Sequence, residues 1–292
     1  LGWIPYIEEF RKQNNYEVYC FTFNNALYEK SYPEINFLPD ITWKEPLKTG
    51  NEEKDKPYWF SRGTGKNYYF DKTYSIGWFN DTPQEIKHKN LQYTASYYLK
   101  LEHKEIRPKV DIENKERVIE GKYVCIATQS TAQAKYWNNP EGWEQTIKYL
   151  NDLGYSVVCI DKYGSFGHDE KMNFIPNGAI DKTGDFPLQD RITDIYNCEF
   201  FIGLGSGLSW LAWALGKEVI LISGFSDPES EFYTPYRVIN REVCNSCWNK
   251  EVFDKNNWNW CPYHEGTERE FECSKEITFK MVKEKIDKII TN

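Results

Sequence analysis

Short apolar runs alternate with longer amphipathic stretches through the second half of the chain. This order predicts strands and helices in turn, because a buried strand is a short apolar run and a surface helix repeats its apolar positions every three to four residues. The predicted strands span 122–128, 155–161, a short stretch near Ile180, 200–203 and 218–223. The predicted helices span 140–153, 187–196, 206–215 and 276–290. Together they predict an α/β fold with a parallel sheet covered on both faces.

The first half of the chain has a less regular pattern. The predicted elements are a helix opened near Pro5, a strand at 16–23, a polar loop at 38–68, a strand at 74–79 and a helix at 82–101. An α/β domain ordinarily begins with a strand that leads into such a first helix, so we expect that strand upstream of Leu1. Charges alternate around Pro108, which marks a predicted domain boundary.

Length and charge limit the classes of protein. A chain of 292 residues is long enough for one large or two ordinary domains. The predicted organisation is an N-terminal domain at 1–105, a linker at 106–117, a second domain at 118–243, a four-cysteine loop at 244–274 and a C-terminal helix at 275–292. The net charge of −8 argues against a nucleic-acid surface. The sequence has no transmembrane segment and no secretory signal, which favours the cytoplasm.

Four cysteines lie close together near the C-terminus: Cys244, Cys247, Cys261 and Cys273. The first two form a Cys-x-x-Cys pair, a spacing that lets two thiolates face one ion from a tight turn. A structural ion held by all four is favoured, and thiolates suit zinc or iron. Two disulfides or four free thiols are the alternatives. His264 could replace one thiolate, but four sulfurs complete a tetrahedron, so we expect it beside the ligands or at the surface.

The other four cysteines favour the metal over disulfides. Cys20, Cys125, Cys159 and Cys198 stand singly in apolar runs, where a free cysteine behaves as a small buried hydrophobe. A disulfide framework is typical of small secreted domains, and this chain is long enough to bury a full core.

A glycine-rich loop, Gly205-Ser206-Gly207-Leu208-Ser209, stands between the strand predicted at 200–203 and the helix predicted at 206–215. Glycines let the backbone approach a ligand closely, and a helix N-terminus offers free amides at its positive end. The loop is therefore a candidate diphosphate site at the carboxyl edge of the sheet. The alternative is an ordinary glycine turn, which is common between a strand and a helix.

Two other strand ends carry candidate ligand-binding groups. Thr128, Gln129, Ser130 and Lys135 follow the strand at 122–128 and offer hydroxyl, amide and ammonium groups. A solvated loop with a surface lysine is the alternative there. Gly224 and Phe225 follow the strand at 218–223 and could face a base or a ribose.

Three segments resemble the bacterial autotransporter heptosyltransferases. They are the run 205–222, the stretch 224–238 that begins Gly-Phe-Ser-Asp-Pro, and the four-cysteine tail. The opening Gly-Trp-Ile-Pro-Tyr-Ile-Glu-Glu-Phe-Arg is similar to that family too. More distantly, the chain resembles the lipopolysaccharide heptosyltransferases.

The resemblance implies a glycosyltransferase B fold, with two Rossmann-like domains and a C-terminal cysteine-rich metal loop. Residues 1–105 would form the acceptor side and 118–243 would bind the nucleotide sugar. The implied reaction is an inverting transfer of heptose from ADP-heptose to serine hydroxyls of an autotransporter adhesin. The implied enzyme is a cytoplasmic homo-oligomer with one structural ion, iron or zinc, per chain. By position, the residues that would hold the donor are Thr128, Gln129, Ser130, Lys135, Gly205, Ser206, Gly207, Leu208, Ser209, Gly224 and Phe225. The ion would be held by Cys244, Cys247, Cys261 and Cys273.

The chain departs from the lipopolysaccharide enzymes at one motif. Those enzymes usually carry Asp-Thr-Gly-Leu-Ser-His where this chain has Gly-Ser-Gly-Leu-Ser-Trp at 205–210. The loss of that acid and histidine favours the protein-modifying branch. The resemblance also implies an aspartate general base in the loop after the first strand, upstream of Leu1. Two rival interpretations are a related glycosyltransferase with another nucleotide sugar or a glycan or lipopolysaccharide acceptor, and a non-catalytic scaffold whose metal knuckle binds a partner.

Overall fold

The structure is a computed structural model that describes residues 1–45, 56–77, 82–168, 171–248 and 250–291. The chain divides into two compact units. The N-terminal unit consists of residues 2–82 and 91–111, and the C-terminal unit of residue 1, 83–90 and 112–292. The division after residue 111 lies inside the linker predicted at 106–117.

The N-terminal unit contains two helices and two small sheets. Its elements are α1 (Ile4–Asn14), β1 (Val18–Phe21), β2 (Ile35–Leu38), β3 (Thr42–Lys44), β4 (Tyr58–Ser61), β5 (Lys66–Tyr68) and α2 (Leu91–Leu99). Strands β1 and β2 pair in parallel, whereas β3, β4 and β5 form an antiparallel sheet. The first helix and the first strand therefore lie where the sequence pattern predicts them.

Two predictions for this unit are wrong in the described residues. The predicted loop at 38–68 contains the β3–β5 sheet, whose aromatic side chains pair across strands, as Trp43 does with Trp59 at 5.3 Å between ring centroids. The predicted strand at 74–79 is absent over 74–77, where Tyr74 packs on Phe10 of α1 instead of pairing with a strand. Residues 78 and 79 lie outside the described residues.

The helix predicted at 82–101 is interrupted. A short 3-10 helix covers Gln84–Ile86, and α2 begins only at Leu91. Between them, the chain bonds to the C-terminal unit, of which it is a part: Asn90 N donates to Glu229 O at 2.9 Å, and Ser230 Oγ donates to His88 O at 2.6 Å. These tertiary bonds replace the helical ones that the local pattern predicts.

The C-terminal unit is an α/β sheet domain. Its elements are β6 (Tyr123–Ala127), α3 (Gly142–Asp152), β7 (Ser156–Cys159), β8 (Ser165–His168), β9 (Lys171–Phe174), β10 (Ile180–Asp181), α4 (Leu188–Asn197), β11 (Phe201–Leu204), α5 (Gly207–Ala214), β12 (Val219–Ile222), β13 (Arg237–Val238), α6 (Glu272–Lys275) and α7 (Phe279–Thr291). Six strands form a parallel sheet in the order β10-β7-β6-β11-β12-β13. The predicted parallel sheet is thus confirmed, whereas the β8–β9 hairpin and β13 were not predicted.

Helices cover both faces of this sheet. Side chains alternate along each buried strand, so each strand packs against both layers. Val124 and Ile126 of β6 lie in one apolar cluster with Ile147 of α3 and Val282 of α7. On the opposite face, the Tyr123 hydroxyl donates to the carbonyl of Asp194 in α4 at 2.7 Å. Cys20, Cys125, Cys159 and Cys198 are buried free thiols, as predicted. None of the helices in the described ranges combines the length and the apolar character that a bilayer crossing requires.

Candidate functional site

The sheet order reverses between two neighbouring strands. The chain winds outward from β6 through β7 to β10 on one side, and from β11 through β12 to β13 on the other. The loops that follow β6 and β11 therefore leave the same sheet edge side by side, with Gly203 aligned to Ala127. Open α/β sheets bind ligands at this reversal of strand order. The structure thus brings two of the predicted donor loops together.

The loop after β11 offers an open helix N-terminus. Helix α5 begins at Gly207, and its first amides have no acceptor within the helix. Gly207 is exposed, and a Cβ added there would meet no atom within 4 Å. Ser206 and Leu208 beside it are half-buried. This end of the helix can therefore receive an anion on backbone amides.

Ser209 has a different role from its neighbours. Its side chain is fully buried, and its hydroxyl donates to Leu204 O at 2.6 Å. The hydroxyl that the sequence offers as a ligand donor is therefore used to tie α5 to the end of β11. Its part in donor binding stays a prediction.

Gly205 is surrounded by side chains. A Cβ at this position would lie 2.3 Å from Glu231 Oε1 and 3.2 Å from Ser226 Oγ. Its backbone φ is outside the left-handed region, so space rather than backbone conformation makes a glycine necessary here. Glu231 is itself only 8% exposed and accepts a hydrogen bond from Trp210 Nε1 at 2.8 Å.

Two cations face the Glu231 carboxylate. Burial raises the pKa of Glu231, and the charges of Arg237 and Lys135 oppose that rise. Both Nη atoms of Arg237 are buried and have no hydrogen-bond partner within the described ranges. Burial also lowers the pKa of Lys135, whose Nζ lies 4.6 Å from the centre of the Trp248 ring. Two cations therefore act on the Glu231 carboxylate beside the open amides of α5, and the charge of Asp227 also acts on Arg237.

The loop after β6 is organised by a buried carboxylate. Asp161, at 3% exposure, accepts hydrogen bonds from Thr128 N at 2.7 Å and Thr128 Oγ1 at 2.9 Å through Oδ2, and from Gln129 N at 3.3 Å through Oδ1. Burial raises the pKa of Asp161, and the bonds from Thr128 oppose that rise. Gln129 Nε2 donates to Tyr163 O at 2.6 Å, and Ser130 is half-buried. Asp161 therefore fixes the path of the loop that carries Lys135.

Gly224 and Phe225 contact the cysteine loop. A Cβ on Gly224 would lie 1.9 Å from Cys273 O, so the two backbones are in close contact. The Phe225 ring is 2% exposed and lies in an apolar cluster with Cys247, Trp260 and Phe271. The structure gives both residues a packing role, and their predicted contact with a base or ribose stays a prediction.

The four cysteines of the C-terminal loop are neighbours in space. All are free thiols, so the alternative of two disulfides is not present. Burial, together with the nearby Cys244 and Cys261, raises the pKa of Cys247 to about 12. Burial likewise raises the pKa of Cys273, which interacts with all three of the others. Thiols that disfavour each other's ionisation are typical of a site where a cation stabilises the thiolates.

One group of possible metal ligands combines a cysteine with a histidine and a glutamate. Ligand atoms of Cys244, His264 and Glu272 lie within 4.8 Å of one another. The Glu272 carboxylate, however, already accepts bonds from Arg269 at 2.8 and 2.6 Å and from Cys244 N at 3.1 Å. Since both of its oxygens are used, Glu272 is better placed to orient Cys244 and His264 than to bind an ion. The described residues bring together the ligand atoms of Cys244, His264 and Glu272, and ligation by four sulfurs, which would suit tetrahedral zinc or iron, stays a prediction.

Sequence reasoning missed the buried charges of the site. Glu231, Arg237 and Trp210 lie inside the segments used for the family resemblance, but no local pattern assigns them a role. The signal was a carboxylate and an arginine six residues apart in an otherwise aromatic stretch, Glu-Phe-Tyr-Thr-Pro-Tyr-Arg. Charged residues in such surroundings are buried only when they are paired or functional.

Comparison with known proteins places this chain among glycosyltransferases. The model of glycosyltransferase family 9 (heptosyltransferase) matches residues 84–261. The autotransporter heptosyltransferase Aah of Escherichia coli is 40% identical over 291 residues, which are 97% of this chain and 68% of that protein. The inactive autotransporter heptosyltransferase BimC of Burkholderia thailandensis is 33% identical over 294 residues, 99% of this chain and 65% of that protein. The chain spans about two thirds of the length of these curated relatives.

A solved structure has the same fold over the whole chain. The iron-containing dodecameric glycosyltransferase TibC from enterotoxigenic E. coli H10407 superposes with a TM-score of 0.81 at 39% identity, covering 100% of this chain and 72% of that one. A complex of TibC with ADP-D-beta-D-heptose matches equally, with a TM-score of 0.81. These similarities identify an α/β glycosyltransferase fold.

Proposed function

Since this chain belongs to the autotransporter heptosyltransferases of glycosyltransferase family 9, we propose that it transfers heptose from ADP-heptose to serine hydroxyls of an autotransporter adhesin. The observation that carries this proposal is the open amide end of α5 beside the cations Lys135 and Arg237. Both features favour the binding of a diphosphate. The TibC complex with ADP-heptose, on a chain of the same fold, supports the choice of donor.

The donor loops would act on the leaving group. Negative charge develops on the diphosphate as the bond to the sugar breaks, and donors already in place stabilise that charge without reorganisation. The amides at 206–208 and Lys135 would supply this stabilisation. Thr128, Gln129 and Ser130 would line the donor pocket. The aspartate general base stays a prediction, since its expected position precedes Leu1.

We propose that Cys244, Cys247, Cys261 and Cys273 hold one structural ion, iron or zinc. The mutual interaction of the four thiols supports this ligand set, and the iron in TibC favours iron. His264 and Glu272 would lie beside the ligands. We further propose a glycosyltransferase B arrangement of two Rossmann-like domains and a cytoplasmic location. We also propose that the protein assembles into a homo-oligomer, since TibC is a dodecamer.

An inactive relative makes a direct assay necessary. The purified protein is incubated with ADP-heptose and a serine-containing adhesin fragment, and mass spectrometry detects the heptosyl adduct. UDP- and GDP-sugars in parallel reactions test the alternative donors. We expect an adduct with the ADP-sugar alone. If no adduct forms and calorimetry detects no nucleotide binding, the proposed function is wrong and the interpretation as a non-catalytic scaffold is favoured.

A further inference from the structure

The Glu231 carboxylate occupies the space that a side chain at position 205 would need. The place where a residue-205 side chain would begin is taken by Glu231 Oε1, which lies 2.3 Å from the Cβ position. An aspartate oxygen lies about 2.4 Å from its own Cβ, given ordinary C–C and C–O bond lengths. Glu231 Oε1 therefore stands where an aspartate at position 205 could place a carboxylate oxygen.

The surroundings of this oxygen position are polar. Trp210 Nε1 and the Ser226 hydroxyl donate hydrogen bonds to the Glu231 carboxylate. Arg237 and Lys135 supply positive charge from two other segments. An uncompensated charge is costly in a buried site, so the carboxylate stabilises both cations.

The Glu231 carboxylate contacts two parts of the segment that follows β11. Its Oε1 lies beside Gly205 in the loop, and its Oε2 accepts the hydrogen bond from Trp210 Nε1 in the first turn of α5 at 2.8 Å. One buried carboxylate from residue 231 therefore connects the loop after β11 with the start of α5.

We infer that Glu231 is a positioning residue of the donor site, a carboxylate that takes the place of a residue-205 side chain and holds Trp210, Lys135 and Arg237 around the anion-binding loop. This inference rests on the proposed function for its ligand, a nucleoside diphosphate. It does not require Glu231 to touch the sugar or the acceptor.

The test moves the carboxylate from one segment to the other. Glu231→Ala removes it, and Gly205→Asp alone places a second carboxylate in a filled space. The double variant Gly205→Asp/Glu231→Ala restores one carboxylate at the same place. The matched control is Gly205→Asn/Glu231→Ala, which has the same shape without the charge. ADP affinity is measured by calorimetry and the melting temperature by scanning calorimetry for each protein.

We expect each single change to weaken ADP binding at least tenfold and to lower the melting temperature, and the Asp double variant to recover most of both losses. The Asn double variant should recover little, because a neutral amide does not balance the buried cations. Equal recovery by Asn and Asp would show that shape alone matters and would overturn the inference. So would a folded Glu231→Ala protein that binds ADP as the wild type does.

Two further outcomes are also decisive. If the single variants do not fold, recovery of folded protein by the Asp but not the Asn double variant still supports the inference. If the wild type does not bind ADP, the proposed function fails, whereas the melting temperatures still decide whether Glu231 replaces a residue-205 carboxylate.

Discussion

Substitution of Lys135 tests the charge of the donor site. Lys135 Nζ lies 4.6 Å from the centre of the Trp248 ring, and the charge of Glu231 acts on it. We propose that this ammonium group also acts on the diphosphate. Lys135→Met keeps an unbranched side chain that can pack on the same ring but removes the charge. Lys135→Arg keeps the charge and is the conservative comparison.

The expected loss follows from one charge-assisted contact. Such a contact to a phosphate contributes about 1.5–3 kcal/mol, which corresponds to a loss of affinity of about tenfold to 150-fold. The fold should not weaken, because burial opposes the charged form of Lys135 and methionine removes that opposition. The melting temperature of Lys135→Met should therefore equal or exceed that of the wild type.

The dependence of ADP affinity on pH separates this charge from other effects. Burial lowers the pKa of Lys135 from its ordinary 10.5, so wild-type affinity should fall as the pH rises through that lowered value. The free energy of unfolding should instead increase over the same rise in pH, because the penalty for burying the protonated lysine disappears. Both dependences should be absent in Lys135→Met.

Isothermal titration calorimetry with ADP at several alkaline pH values provides the measurement. Lys148→Met is the matched control, since Lys148 is an exposed lysine of α3 that pairs with Asp152 at 2.7 Å. It changes the net charge equally and should leave ADP affinity unchanged. Wild-type affinity in Lys135→Met, or a pH dependence that survives the substitution, would refute the role given to this lysine.

Three other changes test the rest of the site. Ser209→Ala removes the buried bond to Leu204 O, and urea titration should show a loss of about 1–2 kcal/mol; unchanged stability would contradict the tie between β11 and α5. Gly224→Ala introduces a Cβ 1.9 Å from Cys273 O, so the cysteine loop must shift and elemental analysis should find less bound metal than in wild type. Chelation should lower the melting temperature, because a structural ion contributes folding free energy; a preparation with no ion and unchanged stability after chelation would argue against the tetrathiolate.

The central sheet was predictable because its strands are signalled locally. Strands β6, β7, β11 and β12 are short apolar runs with glycines or polar residues at their ends, and helices α3 and α5 are followed by Gly154 and Gly216 in the left-handed region. Their alternation also implies parallel pairing, and from that pairing follows the sheet edge where the candidate loops meet. For this part of the chain, local pattern and tertiary structure agree.

The buried charges could not be predicted, since they depend on contacts between distant segments. Glu231 and Gly205 are far apart in sequence, and only the fold shows that one occupies the side-chain space of the other. From the sequence alone, Gly205-Ser206-Gly207 was a glycine-rich loop with backbone amides for a diphosphate and without the acid that the lipopolysaccharide enzymes usually carry. In the structure, Gly205 is the residue that makes room for an acid supplied from elsewhere. The β3–β5 sheet was missed for a related reason, because its aromatic pairs form across strands.

The cysteine loop and the donor loop after β6 form one connected structure. Trp248, next to Cys247, lies beneath Lys135, and Gln133 exchanges two hydrogen bonds with Trp258, from Gln133 N at 3.1 Å and from Trp258 Nε1 at 3.2 Å. The order of the cysteine loop therefore determines where the lysine stands. An ion held by the four thiols would affect sugar transfer without contacting the donor, because it fixes the aromatic surface on which Lys135 rests. This arrangement would give a physical reason for the structural metal that we propose, in a transferase whose diphosphate would be bound by amides and side-chain cations.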